Sequence, residues 1–173
     1  MPQKPVTNPV TPPVTTNTTI TNPTPAVINK PATDTITNKP VQPVVSPFNH
    51  TPDGAHFVVL VLTKVDNVFV NEAKNAFFRY SRENYINKLM TTELVNIDTD
   101  NKLLLMSPFK NANEAIAFID RAKPVTATEI IPWLKGGRYS YLVITEKNLD
   151  LLKANKDIEN YKNFINQYFP GKF

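Results

Sequence analysis

The chain has 173 residues, a formal net charge of +4 and no cysteine, which excludes disulfide bonds, thiolate metal sites and a cysteine nucleophile. Acidic residues lie beside most of the lysines and arginines, so the sequence does not indicate a basic stripe for nucleic acid. No apolar run is long enough to cross a membrane, and Pro2 and Pro5 lie where a signal peptide needs its apolar core, so no export signal is visible.

The N-terminal part of the chain differs sharply in composition from the rest. Its first 52 residues contain twelve of the sixteen prolines and no leucine, glycine, glutamate, arginine, tyrosine or tryptophan. Such a segment cannot bury enough apolar surface to offset the entropy lost on ordering it. We therefore predict a disordered Pro/Thr/Asn-rich linker at residues 1–53, followed by one folded domain at residues 54–173.

The first half of the domain reads as a strand, a helix and a hairpin. The apolar run His56–Leu62 is rich in β-branched residues and predicts a strand that is buried on both faces. A helix is expected from Asp66 to about Tyr85. Two strands, Thr91–Asp98 and Lys102–Phe109, follow with a tight turn between them. Residues at spacings of three and four predict the apolar stripe of the helix: Phe69, Ala73, Ala76, Phe77 and Tyr80.

The second half begins with another helix, for which Asn111 is the expected N-cap and Glu114 the partner in a capping box. Pro124 should end or kink this helix. The turn at Gly136 and Gly137 leads into a fourth strand, Tyr139–Thr145, and a short helix follows it. A last helix is expected after Asp157, with an apolar seam formed by Ile158, Tyr161, Ile165 and Tyr168.

These elements predict an α+β, ferredoxin-like sheet in the order β-α-β-β-α-β with a C-terminal helical extension, because right-handed crossovers place two helices on one face. Both faces of the first, third and fourth strands are apolar, so the second face must also be covered. The last helix or a dimer partner could cover it. The residues expected in the core are Phe57, Leu60, Phe77, Leu104, Ile116, Phe118, Leu142, Ile144 and Phe164.

The sequence contains no recognisable catalytic motif. The two histidines, His50 and His56, lack the spacing of a metal site, and no serine lies in a Gly-x-Ser-x-Gly context. No glycine-rich loop could hold a phosphate. The middle of the third strand lacks the aromatic residues on which RNA-recognition domains stack bases. We therefore expect no enzyme activity, no cofactor, no metal and no nucleic-acid partner.

The candidate ligand-binding residues are aromatic. Trp133 precedes Tyr139 and Tyr141 by a few residues, and aromatics beside a loop can form a platform for a sugar or a peptide. The alternative is that Trp133 plugs the loop over the core. His56, at the start of the first strand, completes the candidate set and is expected to be half exposed.

Two family resemblances can be stated on particular residues. The segment Leu105–Phe109, with Ala115 in the following helix, resembles the second half of a SPOR domain, although Ser107 stands where glycine is usual. SPOR domains lie at the end of Pro-rich periplasmic tethers and bind peptidoglycan glycan strands that lack stem peptides. This resemblance implies glycan binding.

A broader pattern spans residues 55–169. It comprises His56–Val61, Ser107–Phe109 with Ala115, Tyr141–Thr145 with Asn148, Leu149 and Leu152, and finally Tyr161, Phe164 and Tyr168. This pattern resembles the C-terminal, SPOR-like domain of the large tetratricopeptide-repeat lipoproteins of Bacteroidota, which are associated with gliding motility and type IX secretion. The resemblance implies a periplasm-facing interaction module of the cell envelope with a protein partner, and peptidoglycan is the alternative ligand.

Overall fold

The computed structural model describes residues 46–173, so the linker predicted at residues 1–53 lies mostly outside the described residues. Within this range, the chain forms a four-stranded antiparallel sheet with four helices and a short π-helical segment, Thr126–Ile130. The α+β class and the antiparallel sheet predicted from the sequence are confirmed. The strands are β1 (His56–Thr63), β2 (Thr91–Asn96), β3 (Asn101–Phe109) and β4 (Tyr139–Ile144). The helices are α1 (Asn67–Asn84), α2 (Ala112–Val125), α3 (Glu146–Asn155) and α4 (Ile158–Tyr168).

Polar side chains fix where the helices begin. The side chains of Asp66, Asn111, Thr145 and Asp157 each accept a hydrogen bond from a backbone N–H in the first turn of the helix that follows. The Glu114 carboxylate reaches back to the backbone N–H of Lys110, one residue before the partner expected for a capping box. The predicted helix starts are therefore confirmed, with this one change of partner.

The strands lie in the order β2-β3-β1-β4, which places β1 inside the sheet between two partners. Leu60 lies opposite Leu104 on one side and Tyr141 on the other, so these three side chains share one face. The Tyr141 ring meets Phe77 of α1 edge-on at 6.3 Å between ring centroids. Helices α1 and α2 therefore cover this first face of the sheet.

The second face of the sheet is also buried. Its residues alternate with those of the first face, and the following are all buried: Val59, Val61, Leu103, Leu105, Leu142 and Ile144. They belong to one core together with Leu149 and Leu152 of α3 and the apolar side of α4. The predicted burial of β1 on both faces is confirmed, and the C-terminal helices belong to the core that buries the second face.

The predicted seam of α4 is correct at three positions and wrong at one. Ile158, Tyr161 and Ile165 are buried, whereas Tyr168 is exposed near the end of the helix. Phe164, predicted as a core residue, is buried and completes the apolar side of the helix. A similar correction applies to α1, where Phe69 is exposed and the neighbouring Val70 faces the core. Phe57 is only partly buried, and the other predicted core residues are buried.

A side chain of α4 also occupies one acceptor on the outer edge of β4. The Thr63 N–H of β1 donates to the Arg138 carbonyl just before β4. Hydrogen-bonded and non-hydrogen-bonded pairs alternate along an antiparallel ladder, so Val143, paired with Val58, is a non-hydrogen-bonded position and its carbonyl points away from β1. The buried Tyr161 hydroxyl donates to this carbonyl at 2.7 Å. An edge strand that would otherwise offer a free acceptor to another chain is thereby protected.

Deletion of residues 157–173 should therefore expose both the second face of the sheet and the edge of β4. We expect the truncated chain to bind a hydrophobic dye and to aggregate, because large exposed apolar patches promote association. Dye fluorescence and light scattering, compared with those of the full chain, measure this. A truncated chain that stays monomeric and dye-negative would show that α4 is dispensable for the core.

The packed part of the chain begins before the boundary predicted from composition. Phe48 is 4% exposed, and its ring lies 4.8 Å from that of Tyr161, centroid to centroid. Asn49 exchanges two hydrogen bonds with the buried side chain of Asn148 in α3, at 3.0 and 2.8 Å. The His50 ring stacks on that of Tyr168 at 3.7 Å between centroids. Composition could not predict this docking, because a single aromatic residue in a Pro-rich segment carries no periodic signal.

Phe48→Ala should lower the free energy of unfolding by about 3–5 kcal/mol, the usual cost of truncating a buried phenylalanine. Chemical denaturation of the full chain measures this loss. Val68→Ala is the matched control, because Val68 is exposed and its truncation should change the free energy by less than about 0.5 kcal/mol. Equal effects of the two substitutions would contradict the packing of Phe48.

Candidate functional site

The aromatic residues predicted as a binding platform occupy different environments. Tyr141 is buried, its hydroxyl lies 2.6 Å from the Thr126 hydroxyl, and burial raises the pKa of its phenol against the opposing effect of this hydrogen bond. Tyr139 is partly buried against the core. Trp133 is 40% exposed, and among residues 46–173 no aromatic ring pair includes Trp133 or Tyr139. A ligand at the surface could not reach the Tyr141 hydroxyl.

The alternative prediction, that Trp133 plugs the loop over the core, fits the structure only in part. Its neighbours Ile131 and Leu134 are buried, whereas Trp133 keeps 40% of its surface exposed. The turn at Leu134, whose N–H donates to the Ile131 carbonyl, directs these two side chains inward. The sequence offered several apolar residues in this loop, and their local turn decides which of them face the core.

His56 is buried, so its expected half exposure is wrong. Its Nδ1–H donates to the Gly54 carbonyl at 2.7 Å, because a carbonyl oxygen can only accept. Burial lowers the pKa of the imidazole, outweighing the Gly54 hydrogen bond, and the nearby His50 acts in the same direction as burial. A neutral ring tied to the backbone has the features of a structural residue.

Two findings on the described residues concern metals and membranes. In residues 46–173, no three histidine or carboxylate side chains come together in a group that could hold a metal ion. No helix in the same range is both long enough and apolar enough to cross a bilayer.

The two most exposed of the large apolar side chains in the described residues, Leu89 and Ile86, lie where α1 leads into β2. We call this surface the α1–β2 corner, formed by Phe78, Arg82, Ile86, Lys88 and Leu89. Leu89 is 96% exposed, Ile86 is 84% exposed and Phe78 is 43% exposed. They surround an open cleft of about 350 Å³. Single exposed apolar residues are common, but a group of three around a cleft is a candidate interaction surface.

The α1–β2 corner is held in place by contacts on both sides of Leu89. The Lys88 ammonium donates to the Glu114 carboxylate at 2.7 Å and lies 4.6 Å from the centre of the Phe109 ring. This hydrogen bond from Lys88 is the main reason that the pKa of Glu114 is lowered, and the Lys110 N–H adds to it. On the other side, Met90 is buried. Leu89 is therefore presented to solvent from a fixed backbone, which limits the entropy that binding would cost.

Sequence reasoning missed this corner because the segment Tyr85–Leu89 lies between a predicted helix and a predicted strand. Ile86 and Leu89 belong to no core-facing stripe of either element. Large apolar residues outside any such stripe are the sequence signal that indicates an exposed apolar corner.

A second concave surface lies between α1 and the end of α2. We call it the interhelical cleft, and its volume is about 440 Å³. Pro124 cannot donate a backbone hydrogen bond, and two residues later the chain widens into the π-helical segment. This segment is closed by the Ile131 N–H, which donates to the Thr126 carbonyl at 2.8 Å. The segment Thr126–Ile130 forms part of the cleft wall. The complete lining is Ala76, Arg79, Tyr80, Glu83, Asn84, Tyr85, Arg121, Val125, Glu129 and Ile130.

Comparisons of the chain with protein-family models, with curated proteins and with solved structures found no match. The surfaces of the domain and the family resemblances of its sequence therefore provide the basis for a functional proposal.

The stability of the domain should fall as the pH drops below about 6.5, the ordinary pKa of histidine. The pKa of His56 is lowered in the folded state, so the unfolded chain takes up a proton at a higher pH than the folded chain does. This preferential protonation lowers the free energy of unfolding as the pH falls. The stabilisation is complete above pH 6.5 and declines as the pH falls towards the pKa of folded His56.

Urea denaturation between pH 7.5 and pH 5 measures this slope, which His56→Gln should largely remove. The carboxylates with lowered pKa values, Glu114 and Asp98, act at lower pH and are unchanged in this variant. An identical slope in both proteins would contradict the assignment to His56.

Proposed function

We propose that this chain is a non-catalytic binding module of the bacterial cell envelope, with a ferredoxin-like, SPOR-like domain whose ligand is another envelope protein. The α1–β2 corner is its binding surface. The observation that carries this proposal is the fixed, solvent-facing position of Ile86 and Leu89 beside Phe78.

The arrangement of the strands supports the ferredoxin-like assignment. The element order is β-α-β-β-α-β, and the sheet order β2-β3-β1-β4 places the first and third strands side by side in the centre. This is the arrangement expected when two right-handed β-α-β units interlock. The covering of the second face by C-terminal helices is an addition to that pattern.

The buried second face argues against the competing function, SPOR-type binding of glycan strands. A sugar-binding face needs polar and aromatic groups open to solvent, whereas Val59, Leu105 and Leu142 are apolar and buried. Glycan binding would have to use an edge or a loop instead. A protein partner with an apolar side chain and a neighbouring carboxylate suits the corner better, because Arg82 flanks the apolar group.

The envelope location and the link to gliding motility or type IX secretion rest on the resemblance to the lipoprotein domains of Bacteroidota. The Pro-rich sequence before the domain supports the same proposal, because modules on long polar tethers commonly bind partners at a distance. No residue set in the described range suggests an active site, and an enzyme is the remote alternative.

The double substitution Ile86→Ser and Leu89→Ser should abolish capture of the envelope partner without unfolding the domain. Both side chains are exposed, so we expect little change in stability and at least a tenfold loss of binding, equivalent to about 1.4 kcal/mol. Cross-linking in envelope extracts from a Bacteroidota species, followed by blotting for the chain, measures capture.

Val68→Ser is the matched control, since Val68 is exposed and apolar but lies at the other end of α1. Loss of the cross-linked species in the control as well would contradict a role for the α1–β2 corner. Purified peptidoglycan sacculi, with and without stem peptides, test the alternative function. Selective retention of the chain on denuded glycan strands would favour SPOR-type binding over our proposal.

A further inference from the structure

The interhelical cleft combines groups of opposite charge with two phenols. Arg79 and Glu83 come from α1, Arg121 comes from α2, and Glu129 comes from the π-helical segment. Tyr80 and Tyr85 also line the cleft. A volume of about 440 Å³ lies within the range of small-ligand sites in proteins.

The four charged side chains are uncommitted within the described part of the chain. None of the ion pairs or side-chain hydrogen bonds among residues 46–173 involves Arg79, Glu83, Arg121 or Glu129. Other surface charges of the domain do pair, including Lys88 with Glu114 and Lys172 with Asp120. Two arginines and two glutamates around one concavity, without mutual ion pairs, leave both kinds of charge available to a ligand.

The two tyrosines of the cleft lie in different environments. The Tyr85 hydroxyl is buried and has no hydrogen-bond partner in the described structure. Burial raises the pKa of Tyr80, followed by the effect of Tyr85, while Arg121 opposes the shift and Glu129 adds to it. Tyr80 thus lies within electrostatic range of groups from both walls. Because the Tyr85 hydroxyl is closed to solvent, a ligand in the cleft would meet the charged groups and not this hydroxyl.

We propose that the interhelical cleft binds a short peptide with free, charged ends. Arg79 and Arg121 hold its carboxylate, and Glu83 and Glu129 hold its ammonium group. This site is separate from the α1–β2 corner and does not depend on the protein partner proposed above.

The balance of charges selects this class of ligand. A phosphate or a polyanion would be attracted by the two arginines but repelled by the two glutamates. A polyamine would be attracted by the two glutamates but repelled by the two arginines. A zwitterion satisfies both pairs at once. Planar guanidinium groups suit a carboxylate because they donate two parallel hydrogen bonds to it.

Trialanine is a suitable probe because it has two charged ends and small side chains. Addition to the ¹⁵N-labelled full chain should shift the backbone amide signals of residues 76–85 and 121–130, and signals of α3 should not move. Acetylated and amidated trialanine has the same length without the charges and should shift these signals at least tenfold more weakly. Equal binding of both peptides, or shifts outside the cleft, would overturn the proposal.

Substitutions separate the roles of the residues. Arg121→Gln and Arg79→Gln should each weaken trialanine binding about tenfold. The matched control is Lys147→Gln, which removes one positive charge at an exposed position of α3 and should leave the affinity unchanged. All three positions are exposed, so folding should be retained, and thermal unfolding checks this. Unchanged affinity in both arginine variants would refute the carboxylate site.

Tyr85→Phe is a second control, because the Tyr85 hydroxyl is closed to solvent. Removal of this unpartnered buried hydroxyl should leave the melting temperature equal or higher and trialanine binding unchanged. A severalfold loss of affinity in this variant would contradict the assignment of binding to the four charged groups.

Discussion

The burial of β1 on both faces is the constraint from which the rest of the domain follows. A strand with apolar side chains in both directions must lie inside a sheet and between two layers, and β1 pairs with β3 and β4 at once. Helices α1 and α2 supply one layer. The second layer comes from the C-terminal helices, and the Tyr161–Val143 hydrogen bond ties α4 to the edge of the sheet. The apolar faces are thus occupied internally, which leaves edges, corners and clefts for binding.

How much of this the sequence could predict depends on whether a signal is local. The strands and helices were correct to within a few residues because periodicity and capping residues such as Asn111 and Asp157 act over one or two turns. The positions of single side chains at element ends were less predictable. Phe69 and Val70 are adjacent and both apolar, and only the packing of α1 on the sheet decides which of them is buried.

The candidate site illustrates the same limit. Trp133, Tyr139 and Tyr141 are close in sequence, but Trp133 lies outside the strands, Tyr139 begins β4, and Tyr141 lies within β4 opposite Leu60. The hydrogen bond between the Tyr141 and Thr126 hydroxyls is buried in the core, and no local pattern predicts it. The interhelical cleft joins residues from α1 with residues about forty positions later, and no local pattern relates them. The docking of Phe48 depends likewise on a surface made by α4, more than a hundred residues away.

The two proposed binding surfaces and the N-terminal segment use different parts of the domain. Phe48, Asn49 and His50 pack on α3 and α4, whereas the α1–β2 corner and the interhelical cleft are built by α1, α2 and the residues that follow each of them. Detachment of Phe48 would open the core beside Tyr161 before it disturbed α1. Because the corner is fixed by its own contacts to Glu114 and Phe109, its geometry does not rely on the N-terminal segment. A domain arranged in this way can hold a partner on one layer while the chain that leads to it is anchored on the other.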